Sequence, residues 1–313
     1  SQTWQVVRSE FDKMLLDNAS DLGADIQYGC RVMDAIFEGD RCVGVKVQGP
    51  DGAINDVFAK VVVDASGQSL VLGSRLKIKV PDPNLRKASV WAYFKGASRE
   101  AGLDEGATLV LQTEGKKGWF WYIPLQDNIV SVGVVGSLED MFADKLSHEE
   151  IFERELNRCP AAKKRVSVGE RVSGYYSTKD FSYKCSQVAG NCWVLVGDAF
   201  GFLDPIYSSG VFLALKSGEM AADAIAEGLK NNNTSAEQLG KWGPQFIQGM
   251  DRMKRLVYAF YEGFSFGGFI RKNPDMKRHV IDLLVGDLFK DSVDTVVEPM
   301  ELMRQEMREM AKM

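Results

Sequence analysis

Histidine is almost missing from this chain: 313 residues contain two, His148 and His279, each in a polar stretch. A Ser/His or Cys/His catalytic pair therefore has little to be built from. Both histidines read as surface residues ahead of charge-bearing switches. The five cysteines, Cys30, Cys42, Cys159, Cys185 and Cys192, are odd in number and show no C-x-x-C spacing. That speaks against a disulfide framework or a zinc site and for buried thiols. No apolar run reaches the roughly 18 uninterrupted residues of a membrane span, and no basic segment followed by an apolar one opens the chain. Neither a span nor a signal peptide is visible, so the expected location is cytoplasmic. Basic charge is also short, with 38 Lys and Arg against 43 Asp and Glu and a net charge of -5. A nucleic-acid binder needs a basic face to displace counterions, so that class is set aside in favour of small-molecule or protein partners. What the chain has is an ordinary globular composition, 45% hydrophobic and 26% charged, enough for one large core or two modest ones.

The sequence opens without an initiator Met on "SQTWQVVRSEFDKMLLDNASDLG". It reads as an amphipathic helix with Phe11, Leu15 and Leu16 on one stripe and Ser9 as N-cap. Upstream elements are therefore expected. Short β-prone runs from Asp25 to Gly67, broken by "EGD" and "GPDG", predict a meander. In "AKVVVDASG", Val61, Val62 and Val63 suit a strand buried on both faces of a parallel or mixed sheet. Residues 81–185 hold three long strand candidates and a covering helix. The segment from Cys192 then returns to a strand-turn-helix pattern, and the rest of the chain reads as helical, with Pro299 near a helix start. The architecture expected is an interrupted α/β domain with a β-rich insertion and a helical tail.

One junction concentrates backbone-shaping residues: "LVGDAFGFLDPIYSSGVFLALKSGE", residues 195–219. A buried strand ending in Gly197-Asp198 puts a carboxylate at the carboxyl edge of the sheet, where open α/β folds bind ligands and where it can accept hydrogen bonds from sugar or polyol hydroxyls. Pro205 stiffens the turn, Ser208 and Ser209 are natural caps, and Gly210 allows close approach to the backbone before a helix over 211–229. The start of that helix offers free N–H groups and a partial positive charge, a site for an anion or an electron-rich ring edge. The same residue types also serve a turn that carries nothing but its own caps.

"GDAFGFLDPIYSSGV" resembles the second flavin-contacting motif of the FAD-dependent monooxygenase and halogenase superfamily, G-D-A…D-P-x-x-S-[ST]-G. "VVRSEFDKMLLDNA" is similar to the family helix that carries an arginine near FAD, here Arg8. "VVVDASG" resembles its strand-end D-[AG]-[ST]-G, here Asp64 to Gly67. The resemblance implies a glutathione-reductase/PHBH-like FAD-binding domain over 1–80 and 186–230, a β-rich substrate domain over 81–185, and a helical region over 231–313. It implies that Gly197 and Asp198 lie at the ribityl or ribose region of FAD and Pro205 against the isoalloxazine, with the Gly210 and Val211 amides facing its pyrimidine edge. The family's first motif, G-x-G-x-x-G on a βαβ unit, is absent. Since that loop cradles the pyrophosphate, about a hundred further upstream residues are expected, the length of a βαβ unit and its connection, and weak FAD binding by the chain as given.

"GKKGWFWYIPL" narrows the resemblance. Trp119, Trp121 and Ile123 alternate with Phe120 and Tyr122, so one strand presents large side chains to both sides and ends at Pro124. A core strand explains that pattern as well, but the string resembles the W-x-W-x-I-P signature of flavin-dependent halogenases, the tryptophan-halogenase-like enzymes. There the bulky residues separate flavin from substrate, which implies roles for Trp119 and Trp121. The halide site implied is the Ser209–Gly210 backbone, with Ser where many members carry Thr. The resemblance further implies an enzyme of secondary metabolism. Reduced FAD comes from a separate flavin reductase, and a flavin C4a-hydroperoxide oxidises chloride or bromide. The acceptor is an electron-rich aromatic substrate, free or carrier-protein-bound. The family's active-site lysine matches no position here. The alternative is an FAD-dependent monooxygenase or geranylgeranyl-reductase-like oxidoreductase without halogenating activity. A non-catalytic flavoprotein fragment acting as an interaction module is a third reading.

Overall fold

The computed structural model describes residues 4–310. The chain divides into two compact units. The first joins the residues up to Gly29 to Asp82–Phe181, and the second joins Cys30–Pro81 to everything from Ser182 onward. The helix Arg8–Asp21 thus groups with the β-rich segment. It begins after Val7 with no side-chain cap, so Ser9 lies inside its first turn, and it buries none of its residues.

In the first unit an antiparallel sheet runs Glu170–Arg171, Lys87–Lys95, Ile129–Ser137, Gly118–Pro124 and Leu109–Gln112, with Tyr176–Lys179 also paired to the 87–95 strand. These strands form because β-branched and aromatic residues alternate along them, and the two faces therefore differ. One face carries Phe120, Tyr122, Val90, Ala92, Val132 and Val134 into a core closed by Ile151, Phe152 and Leu156, together with Ala162 and Val166. Those five come from the helices His148–Asn157 and Pro160–Val166, the former opened by a Ser147/Glu150 capping box. Tyr122 donates its hydroxyl to the Ser98 carbonyl at 2.7 Å, and burial pushes its pKa up to about 12.

The second unit holds the expected meander as an antiparallel sheet of Arg31–Glu38, Arg41–Gln48 and Ile54–Phe58. Beside it in sequence, Val62–Asp64 pairs in parallel with Trp193–Leu195, and Ala189–Gly190 pairs antiparallel on the far side of the latter. Val63, expected to be buried, is 46% exposed. The reason is its place on an edge strand, which has one neighbour among the described residues. The helices Gly210–Lys230, Gly243–Tyr261 and Asp294–Met310 follow. Pro299 lies inside the last of these and not at its start. Phe264 and Phe269 are core residues of this unit together with Trp193, Phe246 and Met300. No described helix is long and apolar enough to cross a membrane.

Candidate functional site

All three residues of the Trp193–Leu195 strand are buried, and the chain then turns at Gly197 with φ +56°. This left-handed conformation favours glycine. Space demands it as well, because a Cβ there would sit 3.2 Å from that of Ala214. The Gly197 amide donates to Ser217 Oγ at 2.8 Å, and Ser217 is fully buried and donates in turn to the Ala214 carbonyl. The strand end is thereby fastened to the flank of the 210–230 helix. Asp198 follows, half-buried, and its carbonyl accepts the Tyr183 hydroxyl at 2.7 Å. Burial raises the Tyr183 pKa, and the nearby charges of Asp198, Cys185 and Asp64 raise it further. Tyr183 therefore stays protonated and serves as a donor.

The segment from Asp204 to Gly210 shapes the start of the helix. Asp204 is 2% exposed, and its carboxylate accepts from the Ile206 amide at 3.0 Å and the Tyr261 hydroxyl at 2.9 Å. Pro205 opens a short 3-10 turn, which ends at Ser208 in the left-handed region. Ser209 is buried and stands at the N-cap position of Gly210–Lys230, yet neither serine caps the helix with its side chain. The acceptor that sequence assigned to Ser208 and Ser209 belongs to Asp204, and it is spent on the preceding turn. The Gly210 and Val211 amides meet no acceptor among the described residues, while the first intrahelical bond runs from the Leu213 amide to the Ser209 carbonyl. A 21-residue helix therefore begins with open donors and no internal anion.

Asp64 and Gly67 end the parallel partner strand differently. Asp64 is 5% exposed, and its carboxylate oxygens accept from the Ser66 amide at 2.9 Å and the Leu72 amide at 2.7 Å. Ser66 Oγ accepts from the Val71 amide. The carboxylate organises its own turn, with Gly67 at φ +63° and Leu70 at φ +50°. A cleft of about 680 Å³ beside it is lined by Arg31, Asp34, Ser66, Ser69, Leu70 and Arg75, among others.

Trp119 and Trp121 lie in the other unit, on the sheet face opposite its core. Trp119 is 2% exposed, and the two rings are 6.3 Å apart. Trp121 donates to Ser131 Oγ at 3.1 Å and continues to Trp91 at 6.1 Å, which stacks on Tyr176 at 5.6 Å. The pairing explains the row: Gly133 stands between Trp91 and Trp121, and a Cβ on it would lie 2.2 Å from the Trp121 ring. Arg8 is largely exposed and ion-paired with Asp12 at 2.8 Å. Sequence reading missed Trp91, Tyr176, Gly133 and Tyr261, because each acquires its place by pairing with residues far along the chain. Asp204 was visible in the D-P of its motif.

The sequence profile of the tryptophan halogenase family matches residues 1–265. The chain is 29% identical over 303 residues to a 1H-pyrrole-2-carbonyl-(peptidyl-carrier protein) chlorinase of Pseudomonas fluorescens, covering 95% of this chain and 67% of that protein. It is 34% identical over 279 residues to a flavin-dependent halogenase of Armillaria mellea, covering 83% of this chain but 55% of that protein, so it spans little more than half of that relative. A solved flavin-dependent brominase superposes with a TM-score of 0.87 at 29% identity, covering 99% of this chain and 77% of that one. Uncapped helix start, strand-end acidic turns and W-x-W-x-I-P strand are thus found in a chain that belongs to the tryptophan halogenase family of flavin-dependent halogenases.

Proposed function

We propose that the protein is an FADH2-dependent halogenase acting with chloride or bromide on an electron-rich aromatic. The observation that carries the reading is the start of the Gly210–Lys230 helix. Two amides without an acceptor and no capping carboxylate leave it open to an external anion. FAD fits this end of the unit: Asp198 stands at the strand end as an acceptor for ribityl or ribose hydroxyls, Pro205 is the residue against the ring, and the Gly210 and Val211 amides are donors for its electron-rich edge. When bound, reduced FAD would supply the two electrons that take dioxygen to the peroxide level, and that oxygen would be the oxidant that in turn removes two electrons from the halide. Ser209 and Gly210 hold the halide through backbone N–H groups, which stabilise negative charge by roughly 0.3–2 kcal/mol through the helix dipole. Asp64 and Gly67 shape the adjoining turn, and Arg8 is a cofactor contact of lesser weight. Trp119 and Trp121 are the bulky aromatics that keep the organic substrate from direct oxygenation. A carrier-tethered ring is the substrate form that the Pseudomonas relative supports, and a separate flavin reductase supplies the reduced cofactor.

The test uses the full-length gene product with FAD, a flavin reductase, NADH, oxygen, bromide and a panel of phenols and pyrroles, with catalase present. Enzyme-dependent bromination detected by mass spectrometry is the expected result. Oxygenated or reduced organic product without bromination would move the protein to the monooxygenase or reductase class.

A further inference from the structure

The geometry points to Tyr261 as a positioning residue for the anion-binding start of the Gly210–Lys230 helix. This rests on the reading of that helix start as the halide and flavin site. The turn between Asp204 and Ser208 sets where the Ser209–Gly210 backbone points, and within it the Ile206 amide donates to Asp204 and the Ser208 amide to the Pro205 carbonyl. Two anchors of this turn to the rest of the unit come from the Gly243–Tyr261 helix. Tyr261, the last residue of that helix, donates to one oxygen of the buried Asp204 carboxylate, whose other oxygen takes the Ile206 amide. Tyr207 reaches the Leu256 carbonyl of the same helix at 3.4 Å. The helix end is itself clamped. Arg304, 3% exposed, donates through two nitrogens to the Glu262 carboxylate at 3.0 and 2.7 Å and also binds Glu301. The residue next to Tyr261 is thus pinned to the C-terminal helix, and Tyr261 is pinned with it.

Removal of the Tyr261 hydroxyl takes one donor from a buried carboxylate, a loss that favours movement of the turn toward water. Such movement displaces the Ser209–Gly210 backbone to which the halide is assigned. The chemistry downstream of halide capture involves no atom of Tyr261. The signature is therefore a loss of halide affinity at unaltered turnover.

The experiment compares wild-type and Tyr261→Phe holoprotein in two ways. Steady-state bromination against bromide concentration should show KM for bromide raised about tenfold with kcat within about twofold. Hydrogen exchange followed by mass spectrometry, on the protein with and without FAD, should show the 205–213 peptide exchanging at least about fivefold faster while the 118–124 strand is unchanged. If Tyr261→Phe lowers the melting temperature, Asp204→Asn serves as the second variant, because it keeps the shape while turning one acceptor into a donor, and it must give the same pair of changes. Wild-type exchange and wild-type bromide KM in both variants would overturn the inference, as would equal loss of kcat and kcat/KM. If wild-type holoprotein brominates nothing, the site reading has failed on its own. The exchange rates then still decide whether Tyr261 sets the turn.

Discussion

Asp64–Leu72 and Asp198–Val211 are two versions of one construction, a strand that leads into an acidic residue and then turns into a helix. Their strands pair in parallel, Leu195 opposite Asp64. At the first turn the carboxylate folds back onto the Leu72 amide of the following helix while Ser66 Oγ takes that of Val71, so the positive end is filled from inside. At the second, the buried carboxylate of Asp204 is committed one turn too early, to Ile206 and Tyr261, and the longer helix starts with no side-chain cap among the described residues. A helix terminus with unmet donors is costly in isolation. One small sheet thus sets a self-capped helix start beside the open one proposed to take an anion.

Ser209→Asp is the substitution that most directly erases this difference, since it supplies the open terminus with its own carboxylate. Bromide-dependent kcat/KM should fall about 100-fold, the scale of losing a preorganised donor site, while the melting temperature holds or rises because a cap has been added. Wild-type bromide-dependent kcat/KM in this variant would show that the helix start is not an anion site. The reverse change, Asp64→Ala, strips the filled terminus. It should lower stability by about 2 kcal/mol, measured by urea unfolding, because two amides lose their acceptor.

The sheet unit sharpens the comparison from outside. Gly133→Val would place side-chain atoms in the space of the Trp121 ring, costing about 1–3 kcal/mol by overpacking and shifting tryptophan fluorescence. It should leave exchange at 205–213 untouched. Alkaline pH probes both units together. Burial raises Tyr122 and Tyr175 to about 12 and raises Tyr183 and Tyr207 as well. The unfolded chain loses these protons near pH 10, so the tyrosines' contribution is complete below pH 10 and declines as pH rises toward 12. Thermal melts from pH 9 to 11 should show a falling midpoint, with a shallower slope in Tyr122→Phe. The smallest effect belongs to Arg8→Ala. Its exposed ion pair is worth about 0.5 kcal/mol or less, so the melting temperature should not move, and a fewfold weaker FAD affinity would isolate its cofactor contact.

The flavin-dependent halogenase family was legible because its marks are local. Gly197 must be glycine for its backbone angle, and the W-F-W-Y-I-P alternation is a strand with two loaded faces whatever surrounds it. The caps were misread for an equally local reason. Serine at a helix start usually accepts from the first turn, but Ser208 is held at φ +51° by the turn that Asp204 closes. Val63 looked buried because sequence records hydrophobicity and not the position of a strand in its sheet.

By itself the sequence determined where strands end and helices begin around Asp64, Asp198 and Gly210, since backbone angles and alternation are set by neighbours in the chain. Only the tertiary structure decided which carboxylate fills which helix start, and that Trp91, Gly133 and Trp121 form one row. It also decided that Tyr261 reaches Asp204 from 57 residues away. The physical reason is that hydrogen-bond partners and ring contacts are chosen by distance in space, and a buried acceptor goes to whichever donor the packed core brings within 3 Å.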